Sequence, residues 1–267
     1  MTSDARTIGG RTLGWLEGGA PTSSNVLVWL HAFPLSGAMW MPQLEALPGW
    51  RVLAPDLAGL GRSVDHRGVP TIEDYARDLF GLLDALGLER VVVGGLSIGG
   101  YAAMACQHLA PSRVRAFIFA DTRSAADTAT ARVGRETMLG IIESGGAPGV
   151  ADEMLPKLVG ATTHRTRPAL VARVRALIET NSPDGIGRAV KRLRDRPDRT
   201  GELAGIAVPA LVIVGEEDAI TPVDDSRALA AAIPDATLAI LPLAGHLSNL
   251  ENPDSFNGAL RPWLEAL

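Results

Sequence analysis

The sequence predicts an α/β fold: a mostly parallel central sheet with helices on both faces, and a helical lid inserted between two sheet strands. Three observations carry this. Short apolar runs without polar alternation recur along the chain, as strands buried on both faces require. Segments of helical period lie between those runs. One long stretch, residues 122–203, has helical periodicity and no strand-like run at all.

In chain order, segments 6–8 and 12–17 flank Gly9-Gly10 and read as an opening hairpin. Segment 25–31 is the first buried-strand run, and the pattern returns at 51–55, 90–94, 114–120, 209–215 and 237–241. Helical segments are expected at 72–86, 98–109, 225–233 and 255–267. Strand alternating with helix implies right-handed crossovers in one open sheet. Within 122–203, Gly145-Gly146-Ala147-Pro148-Gly149 and Asn181-Ser182-Pro183-Asp184-Gly185 read as turns. Both ends of that stretch must return to neighbouring strands. Residues 1–121 and 204–267 are therefore expected to form one core, with 122–203 as its lid rather than an independent domain.

Composition narrows the function. The 267 residues hold 30 acidic against 25 basic side chains, a net charge of −5, so a phosphate-binding face is not expected. An apolar share of 46% with 21% charged residues describes a globular chain. Cys106 has no partner, which excludes an intramolecular disulfide and suits a reducing, cytoplasmic setting. The polar start, residues 1–6, is no secretory leader, and no apolar run nears the ~20 residues of a membrane span. The expected partner is a small molecule, not nucleic acid or membrane. No His/Cys/Asp cluster stands at metal-ligand spacing and no phosphate-cradling loop is left over, so no cofactor is expected.

The chemistry centres on Gly95-Leu96-Ser97-Ile98-Gly99, a G-x-S-x-G pattern between a buried strand and a helical run. That setting is a nucleophile elbow, with Gly95, Gly99 and Gly100 keeping the crowded turn small. The plainer alternative is a glycine-rich turn with an incidental serine. Ser97 needs a base held by a carboxylate. Of five histidines, His66, His108 and His164 fit surface positions, and His31 fits a structural role at a strand end. His246 follows the last strand run and is the base. Two aspartates end strands between Ser97 and His246: Asp121 and Asp218. Asp218, in a glycine-led turn closed by Pro222, is preferred; Asp121 remains an alternative acid, a hinge or a helix cap. Glu216 and Glu217 read as solvated neighbours. The oxyanion donors are expected to be the amides of Ile98 and Phe33, since Pro34 has no N–H. Trp40 is a candidate pocket wall.

These segments resemble the serine hydrolases of the α/β-hydrolase superfamily. His31-Ala32-Phe33-Pro34 is similar to the family's H-G-F-P oxyanion loop, with Ala32 in place of the usual glycine. Segment 55–63 resembles its D-x-x-G-x-G-x-S loop, in which Asp56, Arg62 and Ser63 are structural. Gly245-His246 and Glu251-Asn252-Pro253 resemble its terminal histidine segment. The resemblance implies a carboxylesterase or a 3-oxoadipate enol-lactonase-like enzyme, acting on a small ester or lactone through Ser97, Asp218 and His246. The serine excludes the aspartate-based dehalogenases and epoxide hydrolases of that superfamily. Acyl transfer to peroxide or an alcohol is the alternative enzyme, and a non-catalytic binding protein of this fold the alternative without chemistry.

Overall fold

The computed structural model describes residues 1–65 and 68–267, so His66 lies outside the described residues. Among them, eight strands form one sheet: β1 (Thr2–Ile8), β2 (Arg11–Gly19), β3 (Val26–Leu30), β4 (Arg51–Pro55), β5 (Val91–Leu96), β6 (Val114–Ala120), β7 (Ala210–Gly215) and β8 (Ala236–Leu241). Their spatial order is β1-β2-β4-β3-β5-β6-β7-β8. β1 and β2 run antiparallel to each other and β2 to β4; every pairing from β4 to β8 is parallel. β3, β5 and β7 are buried along their whole length, which explains why their sequences show no alternation.

Differences from expectation fall at the sheet edges. The hairpin runs back to Thr2, and its first strand is almost wholly exposed, so no apolar signal marks it. β8 was expected to be covered on both faces, but it is an edge strand, with Ile240 40% exposed.

The helices are α1 (Met41–Ala46), α2 (Glu73–Ala85), α3 (Ile98–Leu109), α4 (Ala129–Leu158), α5 (Ala161–Thr166), α6 (Pro168–Glu179), α7 (Pro183–Asp195), α8 (Val223–Ala232), α9 (Ser248–Glu251) and α10 (Pro253–Glu265). α4 to α7 occupy the stretch between β6 and β7. α4 is broken at Gly146, at φ 58°, inside the expected glycine-proline turn. The chain steps from β3 outward to β4 and then back past β3 to β5. Right-handed crossovers therefore put α1 on one face and α2, α3 and α8 on the other. The carboxyl ends of β3 and β5 meet at this reversal, where open α/β sheets carry their crevice.

The α1 face is sealed by aromatic rings. Trp29 of β3 stacks on Trp40 at 4.1 Å, and Phe256 of α10 tilts onto both, at 5.8 and 5.9 Å. Trp40 is fully buried, so it is a core residue and not a pocket wall. Truncating Phe256 to Ala should leave a cavity beside the stacked indoles and cost about 3–5 kcal/mol in denaturant unfolding. A loss below about 1 kcal/mol would mean the rings close up without it.

Candidate active site

Ser97 joins β5 to α3 with φ 55° and ψ −114°, a left-handed backbone that a non-glycine residue adopts only when its surroundings enforce it. Several contacts do so. The Ser97 N–H donates to the Ala120 carbonyl at 3.1 Å, and the Thr122 hydroxyl donates to the Ser97 carbonyl at 2.9 Å. A side chain on Gly95 would collide with the Gly99 carbonyl, one on Gly99 with the Leu30 carbonyl, and one on Gly100 with Thr122. Gly95 and Gly99 are thus demanded by backbone contact, and Gly100 by the Thr122 side chain.

The structure brings Asp218 to His246 and takes Asp121 elsewhere. His246 Nδ1 lies 2.8 Å from Asp218 Oδ2, both side chains buried. Asp218 Oδ1 also accepts the Ile220 and Thr221 amides at 2.8 and 3.0 Å, and Oδ2 accepts the Thr221 hydroxyl at 2.6 Å. Burial pushes the Asp218 carboxyl up, but the adjacent imidazole and the Thr221 donors outweigh it and hold it below the usual carboxylate range. Thr221 was missed in the sequence; the one local signal was Asp218 itself, since an aspartate in a turn accepts the amide two residues on.

Asp121 is fully buried, at φ 43°. Its Oδ1 accepts the Gly215 amide at 2.8 Å and its Oδ2 accepts the Ser248 hydroxyl. It therefore ties the start of the Asp218 turn to the segment just after His246. Burial, with the Asp218 charge adding to it, raises this carboxyl well above its ordinary range. Two aspartates at neighbouring strand ends are pushed in opposite directions, which separates their roles.

Ser97 Oγ makes no hydrogen bond to His246 among the described residues; such contacts tighten when substrate is seated. Ile98 is the first residue of α3, so its N–H has no helical acceptor. Phe33 lies in the loop after β3, beside the elbow, because Gly99 packs against the Leu30 and His31 carbonyls. Ala32 is not among the positive-φ residues, so its methyl meets no left-handed strain. His31 is structural: the Leu57 N–H donates to Nε2 at 2.8 Å, leaving Nδ1–H for the Ala32 carbonyl at 2.9 Å. Burial holds this imidazole below its ordinary range. Asp56 accepts the Gly37 and Arg62 amides, and Ser63 bridges the Gly14 amide and the Asp56 carbonyl, all of it loop scaffolding.

Glu217 is not a solvated neighbour. Its carboxylate takes the Thr162 amide and hydroxyl at the start of α5. Glu251 accepts the Leu247 amide at 3.2 Å and the Gly160 amide at 2.8 Å. Gly160 and Gly245 meet backbone to backbone. The insert is therefore fastened to the loops that carry Asp218 and His246. Among the described residues, no group of three or more His, Cys, Asp or Glu side chains could hold a metal ion, and no helix is long and apolar enough to cross a membrane.

A parallel sheet that delivers a serine turn and a buried Asp–His pair to one edge is the frame of an α/β hydrolase. The chain belongs to that family: the alpha/beta hydrolase fold model matches residues 25–253. It is 31% identical over 253 residues to a Caulobacter sp. (strain K31) protein named "Putative carbamate hydrolase RutD", spanning 92% of this chain and 93% of that one. A thermophilic esterase from Thermogutta terrifontis superposes with a TM-score of 0.93 at 34% identity, covering 100% of this chain and 99% of the other. The enol-lactonase from Burkholderia xenovorans LB400 gives 0.90 at 28% identity, over 98% and 100% of the two chains.

The raised Asp121 carboxyl has a measurable sign. Its proton is held more tightly in the folded chain than in the unfolded one. The stability it contributes is thus present below the ordinary aspartate range, near pH ~4, and is lost as pH rises through the folded value. Asn in its place cannot ionise; its Oδ1 still accepts the Gly215 amide, and its Nδ2 donates to the Ser248 oxygen instead of accepting from it. Asp121→Asn should therefore gain stability relative to the wild type as pH rises from about 4.5 to 8 in denaturant titrations. A pH-independent difference would rule this out.

Proposed function

We propose that the chain is a serine hydrolase that cleaves a small carboxylic ester or lactone through an acyl-enzyme intermediate. The observation that carries this reading is the buried 2.8 Å Asp218–His246 pair, set on the same sheet edge as the strained Ser97 turn. Ser97 Oγ attacks the carbonyl carbon while His246 Nε2 takes its proton; Asp218 holds Nδ1–H and steadies the imidazolium. The oxyanion is received by the amides of Ile98 and Phe33. His246 then protonates the leaving alcohol, and the same base activates water to release the acid. The esterase and enol-lactonase structures that superpose on the chain support this reading.

A carbamate carbonyl would be attacked by the same groups, and the name of the Caulobacter relative favours that second reading. A panel of p-nitrophenyl esters, lactones and carbamates separates the two. Turnover of carbamates alone would replace the first with the second.

Ser97→Ala should lower kcat by ~10⁶-fold, and Asp218→Asn by ~10⁴-fold, through the wrong imidazole tautomer. Asp121→Asn should stay within a few-fold of wild type, because its carboxyl bonds Gly215 and Ser248 and not the imidazole. Reversal of the two aspartate effects would move the acid to the end of β6.

Residues 122–203 form the proposed lid, whose inner face sets the acyl pocket. Met138 and Leu155 are buried apolar side chains of α4. One methylene in an apolar pocket discriminates by ~1–3 kcal/mol, so Met138→Ala and Leu155→Ala should shift chain-length preference by roughly 10–200-fold across acetate to octanoate esters. Labelling of Ser97 by a small fluorophosphonate should be unchanged. An unaltered chain-length profile would make the insert an interaction surface instead.

A further inference from the structure

Among the described residues, one side chain of the helical insert hydrogen-bonds to the loop after β3. Asn181 lies in the turn between α6 and α7 and is 4% exposed. Its Nδ2 donates to the Pro34 carbonyl at 2.8 Å and to the Leu177 carbonyl at 3.0 Å, with the Leu35 carbonyl at 3.5 Å. Its Oδ1 accepts the Gly61 N–H at 2.7 Å. With carbonyls on one side and an N–H on the other, only one orientation of the carboxamide satisfies every partner.

The Pro34 carbonyl belongs to the same peptide unit as the Leu35 N–H. That N–H donates to the Ala32 carbonyl at 2.9 Å. The Ala32 carbonyl, in turn, shares its peptide unit with the Phe33 N–H. Asn181 is thus the head of a hydrogen-bonded relay of two peptide groups that ends at the Phe33 amide. Each member polarises and orients the next, and a buried chain of this kind has no water to replace a lost member. His31 Nδ1 holds the Ala32 carbonyl from the sheet side, but among these contacts only Asn181 brings the insert into the relay.

We propose that Asn181 is a positioning residue: it aims the Phe33 N–H at the oxyanion and so couples the insert to the catalytic edge. This rests on the serine-hydrolase reading and on Phe33 as an oxyanion donor. Asn181 touches no reacting atom. Its contribution is made in the transition state, where the oxyanion's charge develops, so it should appear in kcat and not in KM.

The test compares N181D, which keeps the shape and the Gly61 contact but turns an acceptor toward two carbonyls, with N181A, which places no charge there. Rates are counted per Ser97 titrated by a fluorophosphonate, so that partly folded preparations still yield a kcat. S182A serves as the structural control: the Ser182 hydroxyl caps α7 by accepting the Gly185 amide at 3.1 Å. Its loss should lower Tm by about 2–4 °C with kcat unchanged. Both Asn181 variants should lose about 10–100-fold in kcat, with KM within about 3-fold, since removing an oxyanion donor outright costs ~10²–10³-fold. Affinity for a trifluoromethyl ketone analogue of the best ester should fall by the same factor as kcat/KM. If folded N181D and N181A keep wild-type kcat, or if S182A loses as much kcat as they do, the proposal is overturned. A wild-type enzyme with neither turnover nor labelling would instead sink the hydrolase reading and this inference with it.

Discussion

The proposed catalytic edge depends on how closely α3 can approach β3 and β5. At Gly95 and Gly99 the helix and the strand ends touch through backbone atoms, and a single methyl at either position would drive them apart. That contact places Ser97 at positive φ, a conformation that costs of order 1–3 kcal/mol and is tolerated only because the surroundings leave no alternative. The same approach seats the loop after β3 beside the elbow. Ser97 and the loop that carries Phe33 are thus brought together by one steric constraint.

The two aspartates show how burial assigns roles. Both stand at strand ends in the same part of the sheet, and both are nearly inaccessible. Asp218 receives two amides, a hydroxyl and an imidazole, and this stabilises its charge. Asp121 receives one amide and one hydroxyl, in a site that also feels the Asp218 charge, so its neutral form is favoured. One carboxyl can steady an imidazolium. The other ties together the two loops that carry Asp218 and His246.

Polar anchors hold the insert at two places along its length. Glu217 and Glu251 fasten the α4–α5 junction beside His246, and Asn181 fastens the α6–α7 turn to the loop after β3. Beyond these, Arg192 is fully buried, 2.6 Å from Asp65 and over the Tyr75 ring at 4.5 Å. Arg196 pairs with Asp127 at 2.6 Å over the Tyr101 ring at 4.2 Å. Lifting the insert would break the Arg192–Asp65 pair and take Arg196 off the Tyr101 ring, and breaking a buried ion pair is costly. A change in the insert is consequently felt at the loops that carry Asp218, His246 and Phe33.

Much of this was legible in one dimension. Apolar runs marked the interior strands because a parallel strand covered on both faces has no polar side to show. Ser97, Asp218 and His246 stood out as candidates because each follows a strand and stands in a turn with its own local chemistry. The edges were not legible: β1 is polar and β8 half-covered, so neither carries the pattern of a buried strand. Trp40 read as a pocket wall by its nearness in sequence to Phe33, whereas packing against Trp29 and Phe256 put it in the core. Which aspartate meets His246, and what Glu217, Glu251 and Asn181 hold, was decided only by the tertiary structure. Those partners are separated by 28 to 147 residues, and their bonds exist only once the sheet has brought the loops together. Local chemistry names a residue's capability; the distance to its partner is a property of the fold.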